Sequence, residues 1–138
     1  MRLNKRLTPI LIALLVGCTE GYGAEGVAGP LPSVIECTGV VTISVTEFDS
    51  PVPHNSTGNE ALFSVSNSSD STTVVAVGCS SQLFVTCTGT TPSTFTLAGH
   101  GEQNVTTTFS AASSGIKGFV KLSGCGAEAT AGPIFLVD

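Results

Sequence analysis

From about residue 39 onward, apolar and polar residues alternate in short runs of period two, and no stretch carries helical spacing. Val41, Ile43 and Val45 alternate with Thr42, Ser44 and Thr46, which predicts a half-buried strand over about 39–48. Pro51-Val52-Pro53 then predicts an end to pairing, because proline donates no backbone hydrogen bond. Ala61, Phe63 and Val65 form the inward set of a second strand, and Asn67-Ser68-Ser69-Asp70 has the side-chain chemistry of a turn. A third strand is expected at Thr72–Gly78, a return strand at Leu83–Thr88 and another at Thr94–Ala98. Gly99-His100-Gly101 reverses the chain into a strand with Val105, Thr107 and Phe109 on one face. After Ser113-Ser114-Gly115, Ile116, Val120 and Leu122 are expected to share a face. Gly124 to Gly132 reads as the last loop, and Ile134–Val137 as the last strand.

Short strands at this spacing, rich in β-branched residues and punctuated by turns, predict an all-β domain. The favoured architecture is an immunoglobulin-like Greek-key sandwich of seven or eight strands, with an up-and-down barrel as the alternative. The cysteines fit the sandwich. If the first strand runs up, Cys37 opens it at the bottom, and Cys125 follows a strand that runs down. Cys79 and Cys87 lie on neighbouring strands. Pairs Cys37–Cys125 and Cys79–Cys87 then need no distortion, whereas Cys37–Cys79 with Cys87–Cys125 would join opposite ends, beyond the short reach of a disulfide. Each bond is expected to contribute roughly 2–4 kcal/mol.

The start of the chain has a different pattern. Arg2, Lys5 and Arg6 precede an apolar run from Ile10 to Val16, the layout of a secretory signal. That run is short of the about 20 apolar residues a spanning helix needs. Leu15-Val16-Gly17-Cys18 resembles the bacterial lipobox, which makes Cys18 the expected site of lipidation and the first residue of the mature chain. The alternative is an ordinary signal cleaved near Gly23-Ala24, giving a soluble secreted or periplasmic protein. Thr19, rather than an aspartate, after the cysteine favours an outer membrane or cell surface. The expected organisation is therefore a signal over 1–17, a Gly/Pro-rich flexible tether over 18–33 and one domain over 34–138. Setting Cys18 aside leaves an even four cysteines, as an exported, oxidised domain requires.

Composition narrows the function. Beyond the signal only Lys117 and Lys121 oppose ten carboxylates, so the mature chain carries a net charge of −8. Such a surface attracts neither nucleic acid nor anionic headgroups, so the expected membrane partner is reached through the N-terminal lipid alone. With no Trp and one Tyr, the core must rest on Val, Ile, Leu and seven Phe.

The segments Phe63-Ser64-Val65-Ser66-Asn67-Ser68-Ser69, Val85-Thr86-Cys87-Thr88-Gly89, Thr96-Leu97-Ala98-Gly99 and Val105-Thr106-Thr107-Thr108-Phe109, with Cys79, Pro92-Ser93-Thr94 and Gly115, occur in a telling order. Over about 60–138 the chain resembles bacterial Ig-like modules, found often in tandem in large surface proteins and lipoproteins. The resemblance implies a spacer or adhesive unit. Only one such module lies within the sequence, which favours a binding role.

Catalytic chemistry finds little support. The two histidines, His54 and His100, fall in predicted loops, and no Gly-x-Ser-x-Gly elbow accompanies them. Glu47, Asp49 and His54 could be drawn as a metal site, but their spacing matches no zinc or calcium motif. Cys79 and Cys87 lack the Cys-x-x-Cys helix start of a redox pair. Asn55, Asn67 and Asn104 begin Asn-x-Ser/Thr triplets, read here only as a sign of exposure.

The expected protein is a non-enzymatic cell-envelope lipoprotein without cofactor or metal, acting as an interaction or adhesion module on an unidentified envelope protein or glycan. Contacts are expected from His54, Asn55 and His100, in loops assigned to one end together with the 79–87 region. The alternatives are a structural accessory that adds an edge strand to an envelope assembly and, last, a small redox or metal-handling protein.

Overall fold

The computed structural model describes residues 34–138; the predicted signal, Cys18 and the tether lie outside the described residues. The strands are β1 (Val34–Ile35), β2 (Val41–Phe48), β3 (Val52–Pro53), β4 (Asn59–Asn67), β5 (Thr72–Ala76), β6 (Gly78–Leu83), β7 (Val85–Thr91), β8 (Thr94–Leu97), β9 (Glu102–Ala111), β10 (Lys117–Gly124) and β11 (Ala127–Val137). Among the described residues no helix is long and apolar enough to cross a membrane.

The alternation that predicts β4 and β9 also sets their register. Phe63 lies opposite Val105 and Ala61 opposite Thr107, so the apolar set of each strand faces the same way. All four side chains are fully buried. The hydroxyl of Thr107 donates to the Ala61 carbonyl at 3.0 Å, which removes the cost of burying it. These strands centre a sheet of order β2-β4-β9-β7, which faces a second sheet of order β3-β11-β10-β6. Val120, Leu122, Ile134 and Leu136 of the second sheet join Phe63, Val65, Val105 and Phe109 of the first in one core. The fold is thus the expected all-β, immunoglobulin-like sandwich, with a small third sheet of order β1-β5-β8 at one end.

Three stretches and one residue depart from the expectation. Pro51-Val52-Pro53 does not end pairing: after β2 the chain crosses to the other sheet, where β3 runs parallel to β11 with Val52 opposite Leu136. A proline is tolerated there because β3 is an edge. The segment from Thr72 does not turn at Gly78. It runs on through buried Val77, pairing β5 with β8 and β6 with β10, and reverses only at Leu83-Phe84. The supposed last loop, 124–132, is a hairpin. Cys125 and Gly126 turn the chain at positive φ, and β11 begins at Ala127. Ala127, Ala129 and Ala131 form its inward set, too small to register as a hydrophobic alternation. Ile116 does not share the face of Val120 and Leu122; it precedes β10 and is 71% exposed.

Both expected disulfides are present. Cys37, in the connection from β1 to β2, bonds Cys125 in the β10–β11 turn, with Cα atoms 5.4 Å apart. Cys79 in β6 bonds Cys87 in β7, with Cα atoms 6.2 Å apart. The oxidised pairs fit an oxidising, extracytoplasmic compartment.

The two bonds are unequal on chain-entropy grounds, because they close stretches separated by 88 and 8 residues. Replacing Cys37 and Cys125 together by Ala is expected to cost about 4–5 kcal/mol, and replacing Cys79 and Cys87 about 2–3 kcal/mol. Urea denaturation of the two double variants reads the order directly.

Candidate functional site

Hydrogen bonds between turns define the two ends of the sandwich. At the end where the described chain begins, Ser68 N–H donates to Val40, Asn67 N–H to Gly101 and His100 N–H to Ser69. At the other end, Asn55 N–H donates to Ala112, Ala112 N–H to Phe84 and His54 N–H to Val137, all to carbonyl oxygens. Residues 49–58, the Leu83-Phe84 turn, residues 112–116 and the last two residues therefore meet at this far end.

His54 and Asn55 sit there, but His100 does not; it lies at the opposite end. The assignment of His54, Asn55 and His100 to a single end is corrected by the direction of β8. β8 runs antiparallel to β5 and therefore the same way as β7, so the reversal expected between them is missing and the turn after β8 packs against Ser69 instead. The His100 ring is exposed and its Nε2 contacts Asp70.

His54 works as a latch. Its Nε2 lies 2.8 Å from the Gly115 carbonyl and its Nδ1 3.0 Å from an Asp138 carboxylate oxygen. Both neighbours only accept, so the ring satisfies both when it is doubly protonated. The Gly115 carbonyl raises the His54 pKa above its usual value; partial desolvation opposes it, and the bond to Asp138 and its negative charge add to the rise. Asn55 beside it takes a left-handed φ of 63°, which asparagine tolerates, and its side chain is left at the surface.

The residues that sequence reasoning missed are apolar. Among the described residues seven large hydrophobics are left in contact with water: Val34 and Val74 in the small sheet, and Leu83 (64% exposed), Phe84 (40%), Ile116, Phe135 (48%) and Val137 (42%) at the far end. Their backbones are neighbours at this end: Leu83 pairs with Gly118 and Phe135 with Lys117, which set them on opposite faces of the sheet, while Leu136 N–H donates to the Ile116 carbonyl. Gly115 has φ +103°, and a Cβ on it would overlap the Phe84 ring, so only glycine lets the 112–116 loop close over that ring. Adjacent Leu83-Phe84, which break the alternation, were the visible signal.

The remaining candidates do not assemble. Asp49 accepts from Glu60 N–H at 2.9 Å, His54 is held as described, and Glu47 lies opposite Leu62. No group of three or more metal-ligating side chains gathers among the described residues. Asn55 and Asn104 are exposed, but Asn67, expected at the surface, is 2% exposed. Its amide donates to carbonyls of Ser71 and Ala98 and its oxygen accepts from Ser69, so it organises the turn from within.

No protein-family model matches the chain, and no curated protein does. Solved structures give a distant likeness. The chain is similar to WR4, a C. elegans MSP family member, at 13% identity and TM-score 0.34, over 54% of this chain and 64% of that one. It is similar to a PapD-like domain of human CEP192 at 16% identity and TM-score 0.38, over 85% and 94%. For the periplasmic chaperone SfaE the values are 13% and 0.36, over 70% and 60%. The chain thus spans less than two thirds of the length of WR4 and of SfaE.

Because the folded state holds a proton on His54 more tightly than the unfolded chain does, the latch contributes its full stability below the usual imidazole pKa of 6.5. That contribution drains away as pH rises through the higher folded value. Urea midpoints measured on both sides of this window are expected to fall with pH in the native chain, and His54→Ala is expected to remove that fall.

Proposed function

We propose that the protein is a non-enzymatic cell-envelope lipoprotein, anchored through Cys18, whose sandwich acts as an interaction or adhesion module. One observation carries the reading: the apolar group of Leu83, Phe84, Ile116, Phe135 and Val137 at the end opposite the point where the chain enters the domain. A water-exposed cluster of this kind costs solubility and is retained where it meets a partner. Its turns are held by backbone hydrogen bonds and by the His54 latch, so little ordering entropy is lost on contact. A chain tethered at the near end would present this cluster outward.

The alternative, addition of an edge strand, has less support at the last strand. The end of β11 is hydrogen-bonded on both sides, by β10 and by β3, which leaves no free ladder at Leu136-Val137. A redox role has no free thiol to use among the described residues, since all four cysteines there are in disulfides.

Two measurements test the proposal. A photo-crosslinking residue placed at position 116 in intact envelopes is expected to trap a discrete partner, and one at position 100 none. Trapping from 100 alone would overturn the assignment of the contact end. Cys18→Ala is expected to move the protein from the membrane to the soluble fraction; retention in the membrane would contradict lipid anchoring.

A further inference from the structure

We infer that the outer face of the β3-β11-β10-β6 sheet is a binding surface for a polysaccharide that carries anionic groups. This rests on the reading of the domain as a contact module and deepens it, naming a face and the chemical class of its ligand.

Strand alternation decides which side chains share that face. In β10, Gly118, Val120 and Leu122 are buried, so Lys117, Phe119 and Lys121 point outward. In β11, buried Ile134 and Leu136 turn Phe135 and Val137 to the same outer side. The register sets them in rows: Phe135 beside Lys117, Phe119 beside Gln82, and Lys121 between Thr130 and Ser80. Phe119 lies across the neighbouring strand, because its ring fills the space where a Cβ on Gly132 would meet Cδ1 at 2.6 Å. Part of that ring stays open to water, and Phe135 is about half exposed. Aromatic rings on an open sheet, edged by amide and hydroxyl groups, suit a sugar ring. Its C–H face packs on the aromatic surface while its hydroxyls reach the polar neighbours.

Charge selects the kind of sugar. Beyond residue 33 the chain has two lysines, and both stand on this face. Lys121 is paired with Glu128 at 3.4 Å, whereas Lys117 has no carboxylate within ion-pair distance among the described residues. The other broad face has the opposite sign. Glu47, Glu60 and Glu102 are exposed on the β2-β4-β9-β7 sheet, opposite Leu62, Thr108 and Ser66, and Asp49 binds the Glu60 amide at its margin. Packed sheets lie about 10 Å apart. That exceeds the roughly 8 Å over which exposed charges act at physiological salt, so these carboxylates are screened from a ligand on the lysine face. Asp138, next to Val137, is engaged by His54. A ligand therefore meets Lys117 as a free ammonium, a point charge suited to a carboxylate or a sulfate. The apolar part of the face is small beside the roughly 800 Å² per partner of a standard protein interface, which favours a ligand held a few sugar units at a time.

Biolayer interferometry of the exported, processed chain in mild detergent, against immobilised polygalacturonate, dextran sulfate and uncharged dextran, tests the inference. Binding to at least one charged polymer and none to dextran is expected, and the polymer chosen tells carboxylate from sulfate. Lys117→Gln and Phe135→Ala alter exposed side chains, so each is expected to weaken binding by roughly fivefold or more with Tm unchanged. Glu60→Gln, on the opposite face, is expected to leave binding as it is. Failure to bind either charged polymer, equal binding to dextran, or indifference to Lys117→Gln or Phe135→Ala overturns the inference. If no polysaccharide binds while position 116 still traps a discrete protein, the glycan face falls and the interaction-module reading survives; if neither is seen, both fall.

Discussion

Everything in this fold depends on holding two sheets together over a core of modest side chains. The core has no tryptophan and is built mainly from Val, Ala, Leu and a few Phe. Burial at about 25 cal/mol per Å² gives such a core less than one rich in large aromatics. The two disulfides add to it. One ties the β1–β2 connection to the β10–β11 turn; the other ties β6 of one large sheet to β7 of the other. They act at opposite sides of the sandwich, since the β1–β2 connection leads into one edge of the first sheet and β7 is its other edge.

With the sheets fixed, the ends become fixed as well. The crossing from β2 to β3 carries residues 49–58 to the far end, and the late reversal at Leu83-Phe84 brings a second turn beside it. His54 joins these to the 112–116 loop and to the last residue through two hydrogen bonds. The outcome is an end where exposed apolar side chains stand beside Asp49, Lys117 and Asp138. In the proposed function those apolar side chains are the working feature.

Much of this was legible in the sequence because a half-buried strand writes its orientation into alternate residues. Ala61, Phe63 and Val65, and Val105, Thr107 and Phe109, gave strand, face and approximate ends together. Both cysteine pairings followed from strand direction alone. What escaped was non-local. Nothing in Val77-Gly78 says that one strand will change sheets there, and Val52 between two prolines looks like a break until β11 supplies a parallel neighbour. The alanines of β11 are too small to announce a face. The site suffered from the same source: Ile116 reads as core by periodicity, and only the position of Gly118 within β10 shows that it falls outside. Histidines drew attention by chemical type, yet one is a latch and the other a neighbour of Asp70 at the wrong end.

Two disulfides of one defined connectivity hold the sandwich. Peptide mass mapping of the exported protein, alkylated without reduction and then digested, reads that connectivity. Two linked peptide pairs are expected, Cys37 with Cys125 and Cys79 with Cys87, and no alkylated cysteine among the four. Crossed linkage, or alkylation of Cys79 and Cys87, would contradict it and return those thiols to consideration as a reactive pair.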